Sequence, residues 1–237
     1  MRKALIQVLP FVVAAFFNLL PACGAQAVDV RARVVIVRPQ ARKSAAPAQG
    51  PAVVVWLKPL DPPAGFMPPP PGHFRMAQKN KTFEPHLLVV PIGSTVSFPN
   101  LDPFFHNVFS QFNGKRFDLG LYEAGSTRDV RFDHEGVSYL FCNIHPEMSA
   151  VIITMSTPWY AISSGGEITL QQVPPGQYVV HVWAEGATVA QLDRFIRRVR
   201  IGPDADNLGT ISIQMEPAPP HKNKFGEDYR PEGNAPY

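Results

Sequence analysis

Cys142, His145 and Met148 stand three positions apart in Cys142-Asn143-Ile144-His145-Pro146-Glu147-Met148, and a second imidazole, His106, lies upstream in Phe105-His106-Asn107-Val108. A thiolate, two imidazoles and a weak thioether form the donor set of a blue-copper electron-transfer site. Soft sulfur suits the reduced ion, and imidazole suits both oxidation states. One ligand field tolerable to both states means that little rearranges when an electron passes. A one-turn arc aims every third side chain the same way, and Pro146 shapes that arc while removing one backbone donor. The remaining imidazole, His106, must arrive from the edge of another strand.

Other chemistries fit these residues less well. Catalytic Cys and His are usually remote in sequence and adjacent only in space, unlike two neighbours on one short loop. Structural zinc usually takes several cysteines. A trinuclear copper cluster needs paired histidines, and no His-x-His or His-Cys-His occurs. The expectation is therefore an electron carrier without substrate turnover of its own. His86 reads as a partly exposed structural residue, and His73 and Met76 as part of a solvated loop beside a proline stretch. His134 and His181 serve turns or strand faces, and His221 is solvated in the tail. Phe104, Phe105, Phe109 and Phe112 read as sandwich core, with one or two at the rim of the site.

The elements that must position the donors are strands. From Lys81 onward, short apolar segments follow closely: His86 to Val90, Thr95 to Phe98, Phe105 to Phe109, Val130 to Phe132, Val137 to Phe141 and Ala150 to Met155. Gly, Asn, Asp and Pro separate them, and no window holds a helical period, so the pattern predicts an all-β sandwich. Val28 to Val37 alternates in places, and Ala52 to Leu57 is a fully apolar run that reads as a buried strand. Asp61 to Gly72 holds six prolines and two glycines and reads as a linker or loop. A second β region comprises Ile168 to Leu170, Val179 to Trp183, Phe195 to Ile201 and Leu208 to Met215, with a helical turn expected in Ala187 to Arg194. Residues 216–237, rich in proline and charge, are expected to be disordered.

Hydrophobic residues make up 45% of the 237 and charged residues 17%, enough apolar material for one large domain or two ordinary ones. Arg2 and Lys3, the apolar stretch Ala4 to Leu20 and Ala25-Gln26-Ala27 together read as a cleaved export signal, 1–27. Its apolar run is broken by Gln7, Pro10 and Asn18, so no membrane span is expected in the mature form. Leu20-Pro21-Ala22-Cys23 loosely resembles a lipoprotein box, the rival reading, with a lipid anchor at Cys23. Without the signal the formal charge falls from +3 to about +1, and no basic block is present, so nucleic acid is not an expected partner. One mature cysteine cannot form an internal disulfide. In an oxidising compartment a coordinated thiolate is the protected state, which favours metal.

The order and spacing of these motifs resemble the cupredoxins, especially the plastocyanin and amicyanin group. The likeness extends through Phe83-x-Pro85, Gly93-x-x-Val96-x-Phe98-x-Asn100-x-Asp102, His106-Asn107-Val108 and Gly136-x-x-Tyr139-x-Phe141-Cys142, over about Met76 to Met155. The short gap between His145 and Met148 is similar to the amicyanin ligand loop. The resemblance implies a Greek-key β-sandwich holding one type 1 copper, with His106, Cys142 and His145 equatorial and Met148 axial. It further implies that Asn107 braces the cysteine loop as a supporting residue. Gly166-Glu167-Ile168-x-Leu170-x-x-Val173-Pro174-Pro175-Gly176-x-Tyr178-x-Val180-x-Val182-Trp183 resembles a hairpin of carboxypeptidase-regulatory or transthyretin-like domains. As a whole the chain resembles exported bacterial proteins of methylamine-utilisation type.

These likenesses imply a division into N-terminal strands at 28–60, a Pro-rich linker at 61–75, a cupredoxin domain at 76–156 and a small transthyretin-like β-sandwich at 157–215. The N-terminal strands would complete that second sandwich. The expected function is exchange of single electrons between periplasmic redox protein partners, with His145 as the exit through a small apolar patch. Two rival functions share the same residues: an envelope copper carrier or sensor, and an adhesion or carbohydrate-binding module with structural copper.

Overall fold

The computed structural model describes residues 26–37, 51–63, 65–111, 114–215 and 221–229. The export signal through Ala25, the lipoprotein box at Cys23 and Phe112 lie outside the described residues. The first strands are β1 (Val28–Val37), β2 (Val53–Pro59), β3 (His73–Arg75), β4 (Ala77–Lys79), β5 (Thr82–Glu84) and β6 (Leu87–Pro91). Next come β7 (Ser94–Pro99), β8 (His106–Ser110), β9 (Phe117–Tyr122), β10 (Thr127–Phe132), β11 (Gly136–Phe141) and β12 (Ser149–Met155). The last are β13 (Tyr160–Ser163), β14 (Gly166–Val173), β15 (Gly176–Ala184), β16 (Arg197–Ile201) and β17 (Asn207–Gln214), with one short helix, α1 (Val189–Asp193), among the described residues. The fold is all-β, as the pattern predicts.

Four sheets stack with three apolar layers between them. Their strand orders are β14-β1-β17, β13-β2-β15-β16, β6-β12-β11-β8-β9 and β10-β7-β3. The first layer sets Val30, Ala32, Val34 and Leu170 against Val53, Val55, Leu57 and Val180. The third sets Val108, Leu140, Ala150 and Ile152 against Val96, Phe98, Val130 and Phe132. Between them, Val54 and Trp183 meet Val151, Ile153 and Met155. The two-residue period of a strand explains why the apolar stretches of β2 and β12 read as continuous runs: successive side chains enter different layers, so both faces are dry. β1 buries only alternate residues, as a strand with one wet face must.

Polar contacts also cross the middle layer. Trp183 Nε1 donates to the Tyr139 hydroxyl at 3.0 Å, Lys58 pairs with Glu135, and His86 Nε2 meets Glu185 Oε1 at 2.9 Å. The hydrogen bond to Glu185 holds the His86 imidazole above its ordinary value despite burial. The same bond holds the Glu185 carboxyl below its own. His86's contribution is complete below pH 6.5 and is lost as pH rises through its raised value. Glu185's is complete above pH 4.5 and is lost as pH falls through its lowered value. The pair is therefore strongest between those two ordinary values. The side chains are 44% and 41% exposed, so solvent screening limits it to at most about 1 kcal/mol. Glu185→Gln should lower the melting temperature at pH 6 by roughly 2–4 °C and by less at pH 9. Melting curves giving equal losses at both pH values would refute the pairing.

Several expectations need correction. The linker predicted for 61–75 ends earlier, because His73–Arg75 pairs in parallel with β7, and Met76, expected in a solvated loop, is fully buried in the third layer. The predicted hairpin over 166–183 does not form. β14 pairs with β1, and β15 pairs with β2 and β16. The chain crosses between sheets at Pro174 and Pro175, and the Tyr178 hydroxyl fixes the corner by donating to Pro174 O at 2.7 Å. The disorder expected at 216–237 does not extend to 221–229, which dock beside β11. There Lys224 N donates to Asn143 Oδ1 at 3.0 Å and Lys224 Nζ reaches Asp118 Oδ2 at 2.7 Å. His221, expected to be solvated, lies against Phe141 with ring centroids 4.3 Å apart.

Candidate metal centre

β8 and the loop after β11 bring the donors together. His106 opens β8, and Phe141, the last residue of β11, pairs with Phe109 of β8, which sets Cys142 beside the start of that strand. The loop Cys142 to Met148 closes on itself through Cys142 N to Met148 O and Met148 N to His145 O, both 3.2 Å. Cys142 Sγ lies 3.5 Å from His145 Nδ1 and 3.8 Å from His106 Nδ1. The three donor atoms all fall within 4.8 Å of one another. Bonds of about 2.0–2.3 Å to one ion place two donors roughly 3.5–4 Å apart, so these three residues suit a single transition metal. The thiolate and imidazole donors suit copper.

His106 and Cys142 have no solvent exposure, whereas His145 is only partly buried. Burial pushes the Cys142 thiol up, against the backbone amides of Ile144, Asn107 and His145, which donate towards the sulfur and favour thiolate. Burial lowers both imidazoles; Asp102 partly offsets this at His106, while His106 itself adds to it at His145. Without metal the pocket therefore favours a thiol and neutral imidazoles, and ligation must release the thiol proton. Met148, expected as axial ligand, is fully buried in the same cluster as Cys142.

Asn107 does not brace the cysteine loop through its side chain. Its Nδ2 donates instead to Asp118 Oδ1 at 2.8 Å and Gly120 O at 2.9 Å, both on β9. β9 was not anticipated because Gly120, with φ +68°, interrupts its pattern. What Asn107 offers the sulfur is its backbone N–H.

Sequence reasoning gave Asp102 no role, yet its Oδ2 accepts from His106 Nε2 at 2.8 Å. Asn80 N at 2.7 Å and Lys81 N at 2.9 Å hold the same carboxylate. Burial works to raise this carboxyl, but the Lys81, His106 and Asn80 contacts outweigh it and keep it below the ordinary range. Asn80 and Lys81 both have positive φ, 54° and 56°, at the turn between β4 and β5, the conformation of a tight hairpin turn. The hairpin thus fixes the carboxylate, which fixes the ring so that Nδ1 faces the sulfur. Asn-Lys between two short polar strands was the available signal. Asp102→Asn should weaken copper binding about 10- to 100-fold in a competition titration; unchanged affinity would show that Asp102 does not orient the ligand.

Of the phenylalanines expected in the core with one or two at the rim of the site, Phe109 is buried, while Phe104 and Phe105 are 37% and 49% exposed. The Phe104 ring covers the imidazoles, with centroids 5.2 Å from His106 and 5.6 Å from His145.

No protein-family model matches this sequence, and no curated protein is significantly similar to it. Among solved structures, the chain is similar to a purple cupredoxin from Nitrosopumilus maritimus, at 25% identity over 34% of this chain and 98% of that one, with a TM-score of 0.31. An oxidized point mutant of amicyanin matches at 17% identity over 35% of this chain and 82% of that one, TM-score 0.33. A copper-containing nitrite reductase from Thermus scotoductus SA-01 matches at 22% identity over 52% of this chain, which spans 28% of that enzyme, TM-score 0.34.

Proposed function

We propose that this chain is an exported, mononuclear type 1 copper protein that passes single electrons between periplasmic redox proteins and turns over no substrate itself. The observation that carries this reading is the convergence of Cys142 Sγ, His106 Nδ1 and His145 Nδ1 within one buried cluster. His106, Cys142, His145 and Met148 would hold copper there, and the ion would supply a one-electron couple. The protein's part is to hold the donors still. Two mutually supporting strands, the closed loop and the Asp102 carboxylate resist rearrangement when the charge changes.

His145 is the exit. It is the donor nearest solvent, and exposed Leu101, Phe104 and Phe105 lie in the loop before β8, with Phe104 against its ring. A patch of that size suits the brief encounters of redox partners. The domains fit this reading as a cupredoxin over 76–156 inserted between the 28–60 and 157–215 parts of a transthyretin-like sandwich. The test is an absorption and paramagnetic-resonance spectrum of the copper-loaded protein: an intense thiolate-to-copper band that bleaches reversibly on one-electron reduction is expected. A copper-loaded protein lacking that band rules the reading out.

A further inference from the structure

β8 carries His106 and the loop after β11 carries Cys142 and His145, yet among the described residues these strands pair at a single position, Phe109 with Phe141. The loop closes on itself through two backbone bonds of 3.2 Å, at the long end of the range for N–H···O. A loop held so lightly opens locally at little cost when no metal joins its donors. Residues 221–229 supply the missing connection.

That segment is an ordered turn. Asn223 Oδ1 accepts from Phe225 N at 2.9 Å and from Glu227 N at 3.0 Å, and Asn223 N donates to Glu227 O at 2.9 Å. The turn reaches both donor-bearing elements. On the loop side, the Tyr229 hydroxyl donates to Cys142 O at 2.7 Å and Lys224 N donates to Asn143 Oδ1 at 3.0 Å. On the strand side, Gln111 Nε2, just past β8, donates to Lys224 O at 2.6 Å, and Lys224 Nζ meets Asp118 Oδ2 at 2.7 Å. The other oxygen of that carboxylate accepts from Asn107 Nδ2 at 2.8 Å, and Asn107 follows His106 directly in the chain.

We propose that residues 221–229 form a clasp in which Tyr229 and Lys224 are positioning residues, holding the Cys142 loop shut against β8 before any metal arrives. Donors fixed in advance lose less freedom when an ion binds. That benefit rests on the copper reading, whereas the closure of the loop does not.

The test is the rate at which iodoacetamide alkylates Cys142 in the metal-free full chain, followed on the Cys142 peptide by mass spectrometry. Cys142 has no solvent exposure, so its reaction waits for the loop to open. Tyr229→Phe should raise the rate about fivefold, the worth of one net hydrogen bond, and Lys224→Met should raise it as well. Tyr178→Phe is the control. It removes a hydroxyl-to-carbonyl bond of the same 2.7 Å, to Pro174 O in the first layer, and should leave the rate unchanged. The clasp is overturned if either Tyr229→Phe or Lys224→Met reacts at the wild-type rate, or if Tyr178→Phe speeds the reaction as much, which would make the opening global. No metal enters the measurement, so a missing visible band in the copper-loaded protein would remove the proposed function and leave this result standing.

Discussion

Cys142→Ser should give a folded protein that, loaded with copper, has no intense visible band. The sulfur at this position is fully buried and faces both imidazoles, so no other thiolate can take its place; Cys142 is the only cysteine among the described residues. Folding should survive, because the amides that donate towards Sγ can donate equally to a hydroxyl oxygen, which avoids the cost of a buried unpaired group. Affinity for reduced copper should fall by more than the roughly 10- to 100-fold expected of a supporting residue, since a hard oxygen replaces the donor that soft copper prefers. Absorption and paramagnetic-resonance spectra, with a competition titration for the reduced ion, check both halves. A variant that keeps the visible band would remove Cys142 from the site and with it the proposed function.

How much of this was legible in the sequence depends on the range of the interaction. The grouping of His106, Cys142 and His145 was readable because two of the three share one loop, and the spacing of a tight arc is a local property. The buried strands were readable because a strand with two dry faces leaves an unbroken apolar run, as in Val53 to Leu57. Asp102 was not readable as a supporting residue: its role depends on Asn80 and Lys81, about twenty residues away, turning back to meet it. β4 and β5 are three residues each, too short for any period to emerge. β9 and β13 lie at sheet edges, where partial exposure weakens the alternation. The docking of 221–229 was hidden for a different reason. It rests on single polar contacts from Lys224 and Tyr229 to the ligand loop and β9, and composition alone marks such a segment as loose.

Trp183→Ala should destabilise the protein by about 3–5 kcal/mol, the cost of removing a buried aromatic without refilling its volume. Trp183 is 2% exposed and is the largest buried side chain in the middle layer, which among the described residues has only five buried members against eighteen in the first layer and fourteen in the third. Each outer layer can sustain its own pair of sheets, whereas the middle one has little to spare. Its loss should therefore separate denaturant unfolding into two transitions where the wild type has one. Trp183→Phe keeps most of the apolar contact and forfeits only the Nε1 bond to Tyr139, so about 1 kcal/mol should be lost and a single transition kept. If Trp183→Ala unfolds in one step with a loss near that of Trp183→Phe, the two halves are not held together by this layer. The ion pairs Lys58–Glu135 and His86–Glu185, exposed as they are, would then have to account for the coupling, and surface pairs of that kind supply too little.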